Sequence, residues 1–85
     1  MWQLVYSRDA RRSLRELARN DRERIVQKLR ALVVDPQARN VNVMKMKGSH
    51  HYRLRIGDWR VIFDLDIKGR VIEVLVIKSR GSAYR

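Results

Sequence analysis

Residues 51–63 constrain the fold more than any other stretch. His51-Tyr52-Arg53-Leu54-Arg55-Ile56-Gly57-Asp58-Trp59-Arg60-Val61-Ile62-Phe63 alternates apolar and cationic side chains about a Gly-Asp pair. Strand side chains point to opposite faces at period two, and a two-residue loop with Gly first suits a type II′ hairpin turn. This register pairs Ile56 with Trp59 and sets Tyr52, Leu54, Ile56, Trp59, Val61 and Phe63 on one face. Arg53, Arg55 and Arg60 fall on the other, with Arg55 directly across from Arg60. Like charges opposed in this way destabilise a hairpin, so a polyanion is expected between them.

Charge over the whole chain points the same way. Twenty Lys and Arg against nine Asp and Glu leave a net charge of +11 and a pI near 11.3. A small basic body of this kind is expected to bind nucleic acid or a ribonucleoprotein, and an acidic protein also fits. A membrane surface is disfavoured, because an amphipathic anchor needs Trp, Phe or Leu beside its basic face. With 85 residues there is room for one domain, spanning 1–85. The absence of cysteine excludes disulfides and thiolate metal sites, and fits a reducing cytoplasm. No apolar run approaches the ~20 residues of a membrane span. The opening Met-Trp-Gln-Leu-Val-Tyr is too short and lacks the basic start of a signal peptide. A cytoplasmic location without a membrane partner is therefore expected.

The order of elements reads as β-α-α-β-β-β-β. Gln3 to Tyr6 forms a first strand, and Ser7 caps a helix whose apolar face is Ala10, Leu14, Leu17 and Ala18. Asn20 and Glu23 resemble a capping box opening a second helix, with Ile25, Val26, Leu29, Leu32 and Val33 inward and Asp35-Pro36 ending it. Strands are expected over 41–46, 51–56, 59–66 and 71–78, with a turn near Lys68-Gly69. Val71-Ile72-Glu73-Val74-Leu75-Val76-Ile77 is nearly all apolar, as suits a strand inside the sheet. The fold class is α+β: a helical hairpin packed on one face of a small, twisted, largely antiparallel sheet. Its apolar hairpin face meets the helices, and its arginine face stays open.

Conventional catalytic signatures are missing. There is no Gly-rich phosphate loop, HExxH, nucleophilic thiol or useful Ser-His-Asp spacing, so no cofactor is expected. His50 and His51 alone are too few to hold a metal. RNA cleavage remains within reach of so short a chain, because RNA carries its own nucleophile in the 2′-hydroxyl. The protein must align that oxygen, stabilise charge on the phosphate and protonate the leaving oxygen. Arginine suits the second task, since its planar fork donates to two phosphate oxygens at once.

The hairpin from Tyr52 to Phe63, the apolar strand Val71 to Ile77, and the closing Lys78-Ser79-Arg80-Gly81-Ser82-Ala83-Tyr84 together resemble the RelE/ParE superfamily of bacterial toxins. The similarity covers nearly the whole chain and implies the RelE-like, microbial-ribonuclease type of fold. RelE-like members cut messenger RNA in the ribosomal A site, whereas ParE-like members inhibit DNA gyrase and lack the catalytic basic set. By position, Arg53 and Arg55 match the basic pair before the hairpin turn, one of which is the general base in the RelE type. Arg60 matches the arginine that stabilises the scissile phosphate. Arg80 matches the late arginine that helps protonate the leaving group, and Tyr84 the tyrosine that orients the substrate base.

Two departures stand out. Arginine replaces lysine at the base position and rarely gives up its proton, and the Arg80–Tyr84 spacing is shorter than in the best-known members. His51 is a substitute base. Lys45, Lys47, His51 and Lys78 are further RNA-binding candidates, Lys45 and Lys47 by unspecific phosphate attraction. Bland readings stand beside these. Arg53 and Arg55 also suit a plain solvent face, Arg60 could pair with Asp64, and Arg80's face depends on a bulge at Gly69. Tyr84 also suits a packing role.

The resemblance implies a ribosome-dependent, metal-independent endoribonuclease, held inactive by a cognate acidic antitoxin laid across its basic surface. The rival expectation is a gyrase inhibitor without nuclease activity, and a third is an inactive RNA-binding module.

Overall fold

A computed structural model of the chain describes residues 1–79. Its elements run β1 (Gln3–Tyr6), α1 (Arg8–Glu16), α2 (Arg19–Leu32), β2 (Val43–Lys45), β3 (Tyr52–Ile56), β4 (Trp59–Asp66) and β5 (Val71–Ser79). The strands form one sheet in the order β1-β5-β4-β3-β2. β1 runs parallel to β5, and every other pairing is antiparallel. The expected α+β order is present, with β5 inside the sheet as its apolar run requires.

The hairpin register is the one the alternation predicts. Ile56 pairs with Trp59, Arg55 with Arg60 and Tyr52 with Phe63. Gly57 takes φ +57 and Asp58 does not enter the positive region, as a type II′ turn demands. The guanidinium of Arg24, from α2, lies where a Cβ on residue 57 would stand. Leu54, Ile56, Val61 and Phe63 pack with Ile72, Val74 and Ile77 of β5 against Ala10, Leu14, Ile25, Leu29 and Leu32 of the helices. Tyr52 and Trp59 border this core, and the Tyr52 ring stacks on Phe63 at 5.4 Å. Tyr6 on β1 is half-buried, which raises its hydroxyl pKa above the ordinary 10.0 while Arg30 pulls weakly the other way.

Ser7 joins the two layers. Its Oγ accepts from the Ala10 N–H at 3.0 Å, capping α1, and donates to the Leu75 carbonyl at 2.7 Å. Leu75 is the extra residue of a β-bulge, because Ile62 pairs with Val76 while Phe63 pairs with Val74. A bulge leaves one residue without its ladder partners, and the Ser7 hydroxyl satisfies the carbonyl. The irregularity thus lies mid-strand and not at Gly69. Its effect is on facing: Ile72 and Val74 point inward before it, Ile77 after it, so Lys78 points outward. An unbroken period would have put Lys78 on the inward side.

Other local expectations are corrected. The capping box at Asn20 does not form; α2 starts at Arg19 with Ala18 as an N-cap that makes no side-chain bond. Glu23 instead accepts from Arg19 Nε at 3.0 Å, one turn earlier. Ala18 is consequently exposed and no part of an α1 face. β2 begins at Val43, two residues late, because Asn40 accepts from the Asn42 and Val43 N–H groups and holds 40–43 in a turn. In the 67–70 turn the positive φ, +55, falls on Arg70 and not on Gly69. No helix among the described residues is long and apolar enough to cross a membrane, which says nothing of β-barrel proteins.

Candidate functional site

The uncovered face of the sheet is ordered into rows by the strand register. Arg55, Arg60 and Lys78 stand side by side on β3, β4 and β5. Neighbouring strands lie ~4.8 Å apart, so three cationic stems rise within about 10 Å. Two residues further along comes Met44–Arg53–Ile62–Val76, in which only the arginine is charged. Beyond it lie His51, Asp64 and Glu73, with His51 Nδ1 at 2.5 Å from Asp64 Oδ1. One end of the face is therefore cationic, the middle mostly apolar and the far end acidic.

Arg53, Arg55 and Arg60 share a depression of about 110 Å³, walled also by Val41, Asn42 and Met44. That is well below the 300–1,000 Å³ of small-molecule pockets and suits a phosphate-sized anion. None of its lining residues is acidic, and among the described residues no carboxylate forms an ion pair with these arginines. Among the described residues, Arg53 Nη2 reaches only the Met44 sulfur, at 3.5 Å. Asp64, the alternative partner for Arg60, is engaged by His51 instead. Three arginines thus line one hollow without a counter-charge among the described residues. Such an arrangement favours an incoming anion able to accept several N–H bonds.

The bond to Asp64 orients the His51 ring and leaves Nε2 as its open nitrogen. This pair was legible in principle, because extending the Ile56–Trp59 register sets His51 opposite Asp64. The remaining candidates divide. Lys78 joins the cation row by virtue of the bulge. Lys45 pairs with Tyr52, whose ring packs toward the helices, so it lies off the arginine face. Lys47 sits in the 46–50 turn, where it shares a shallow groove with Lys45 and His50. Arg80 and Tyr84 lie outside the described residues. Sequence reasoning missed Asn42, which no charge or period marks. Among the described residues, no cluster of His, Asp and Glu could hold a metal ion.

Comparison with known proteins places this geometry. The family model described as "ParE toxin of type II toxin-antitoxin system, parDE" matches residues 4–84. No curated protein sequence matches. A solved archaeal RelE–RelB complex from Pyrococcus horikoshii contains a similar chain at 28% identity and TM-score 0.81, covering 94% of this chain and 96% of that one. The intact E. coli RelBE toxin–antitoxin complex is similar at 20% identity and TM-score 0.80, covering 93% and 96%. A YoeB/ParE toxin from Agrobacterium tumefaciens is similar at 19% identity and TM-score 0.75, covering 91% and 96%. The last two likenesses show the fold alone. With a family match running almost end to end, the chain belongs to the ParE toxin family of type II toxin–antitoxin systems, within the RelE/ParE superfamily.

Proposed function

We propose that this toxin is a metal-independent endoribonuclease that cuts ribosome-bound messenger RNA at a phosphodiester held by Arg53, Arg55 and Arg60. One observation carries the reading: three arginines line a single phosphate-sized hollow with no acid among its walls. In the reaction, the 2′-hydroxyl oxygen bonds to phosphorus as its proton passes to a base. The P–O5′ bond breaks, and the 5′-oxygen leaves with a proton. The products are a 2′,3′-cyclic phosphate and a 5′-hydroxyl. Arg53, Arg55 and Arg60 hold the charge that gathers on the non-bridging oxygens.

Arginine is a poor base, so that role passes to His51 Nε2, with Nδ1 held by Asp64. His51 stands one two-residue step, ~6.6 Å, from Arg53 along the strand. By resemblance, Arg80 serves the leaving oxygen and Tyr84 the substrate base. Lys78 adds attraction for the same backbone, and Lys45 and Lys47 a more distant, unspecific pull. The partner that restrains the toxin is a cognate acidic antitoxin, in keeping with a net charge of +11 and with structural relatives solved as RelE–RelB complexes.

The family match itself favours a second reading, inhibition of DNA gyrase without RNA cleavage. Primer extension on messages from a cell-free translation reaction separates the two. Discrete cuts that disappear in Arg60→Ala are expected. Intact messages, with supercoiling by purified gyrase blocked, would hand the protein to the second reading.

A further inference from the structure

A second cavity adjoins the arginine depression and shares two walls with it, Asn42 and Arg55. It lies between the C-terminal turn of α2, the 34–42 segment and β3, and encloses about 420 Å³. That falls within the size range of small-ligand pockets, whereas the depression falls below it. Its chemistry also differs. Leu32 and Leu54 give it an apolar floor beside Ala31, and Lys28 and Arg39 stand on its rim. Its one carboxylate, Asp35, accepts from the Gln37 N–H.

The two asparagines are the polar groups that discriminate. Asn40 spends its Oδ1 on the Asn42 N–H, which leaves its amide NH₂ to donate. The side-chain amide of Asn42 makes no hydrogen bond within the described residues and keeps both donor and acceptor. An apolar surface flanked by amides matches the flat face and hydrogen-bonding edge of a nucleobase. A bare anion would leave both features unused.

We propose that this groove is a nucleotide subsite: it seats the nucleoside attached to the phosphate that Arg55 grips, with Asn42 reading the base edge and Lys28 and Arg39 meeting the next phosphate. The inference rests on the RNA reading above, since it supplies the sugar and base that accompany the phosphate. Asn42 becomes a specificity-determining residue. Arg55, common to both hollows, marks the point where the RNA backbone crosses from one to the other.

Nuclear magnetic resonance titration of the purified protein tests the groove without requiring catalysis. Nucleoside 3′-monophosphates are expected to shift the Asn40 and Asn42 side-chain amides and the Leu54 methyl groups. Inorganic phosphate should shift the Arg53 and Arg60 Nε signals and leave Leu54 unmoved. Ala31→Trp fills the groove from the exposed side of α2 without altering a wall of the arginine depression, and should weaken nucleotide binding about tenfold while phosphate binding persists. Asn42→Ala should flatten the ranking among the four nucleotides.

Nucleotides that shift only the arginine signals, or an Ala31→Trp protein with undiminished nucleotide affinity, overturn the subsite. So does an Asp/Glu-rich peptide that shifts the groove signals where nucleotides do not, which would give the groove to a protein. Cleavage assays keep the two proposals apart. Groove binding without RNA cleavage sinks the nuclease reading and leaves the subsite. Cleavage with an empty groove does the reverse.

Discussion

Along the covered side of the β3–β4 hairpin, Leu54, Ile56, Val61 and Phe63 are no more than 4% exposed. Along the uncovered side of the same strands, Arg55 confronts Arg60, and Lys78 continues the row. Both sets come from one alternating stretch, one residue out of phase. The covered set removes apolar surface from water and stabilises the fold. The uncovered set opposes folding through like-charge repulsion, and its arrangement makes sense as preparation for an anion. The stabilising set and the proposed site are thus separated by a single residue step along a strand.

Substitutions on the two faces should therefore move different observables. The largest effect is expected at Phe63, which is fully buried and stacked on Tyr52. Phe63→Ala should cost about 3–5 kcal/mol in urea unfolding, enough to leave so small a domain largely unfolded. A folded Phe63→Ala protein with near-normal stability would break the division of labour. Arg60→Ala is the counterpart: cleavage should fall by about 10²–10³-fold, the scale of losing one donor to transition-state charge, with the urea midpoint unchanged or higher. If both fell together, Arg60 would belong to the stabilising set.

Ser7 links the faces through the bulge. Ser7→Ala removes the α1 cap and the Leu75 carbonyl's partner, and should destabilise by about 1–2 kcal/mol. Faster hydrogen exchange concentrated around residues 74–78 would trace the loss to the bulge and not to the helix alone. Arg55→Gln relieves an opposed pair and should stabilise by about 0.2–1 kcal/mol. The gain should shrink as salt rises, since screening already relieves the wild type.

The smallest effect is expected at Tyr6. Burial raises its folded-state pKa above 10.0, so the folded form holds the proton more tightly than the unfolded chain. The resulting stability is intact below pH 10 and drains away as pH climbs through the raised value. Tyr6→Phe should flatten that alkaline decline, followed by far-ultraviolet circular dichroism. An unaltered decline would assign it to other groups.

Much of the fold and part of the site are legible in local pattern. The 51–63 alternation yields the hairpin register, its turn and the two faces without further information, because strand geometry has period two. Ser7 reads correctly as a cap, since the requirement is local: an oxygen three residues before an orphan N–H. Asn20 and Glu23 meet the same local requirement and fail, because Glu23 has a competitor in Arg19 one turn back. Asp64 went to His51 and not Arg60 for a related reason. Same-strand spacing suggested one partner, while the cross-strand register supplied a nearer one.

The residues alone determined that a basic, cysteine-free domain would fold as a helical hairpin on a sheet, with Arg53, Arg55 and Arg60 on one face. Those outcomes follow from periodicity and turn chemistry, which act over a few neighbours. Tertiary structure decided the rest: the bulge at Leu75, the outward aim of Lys78, the His51–Asp64 bond and the groove beside Arg55. The carbonyl at the bulge is satisfied by a hydroxyl 68 residues away in sequence, and a cavity is formed by the walls of three separate segments. Such features depend on which distant groups satisfy one another once the layers meet, and no local pattern encodes that.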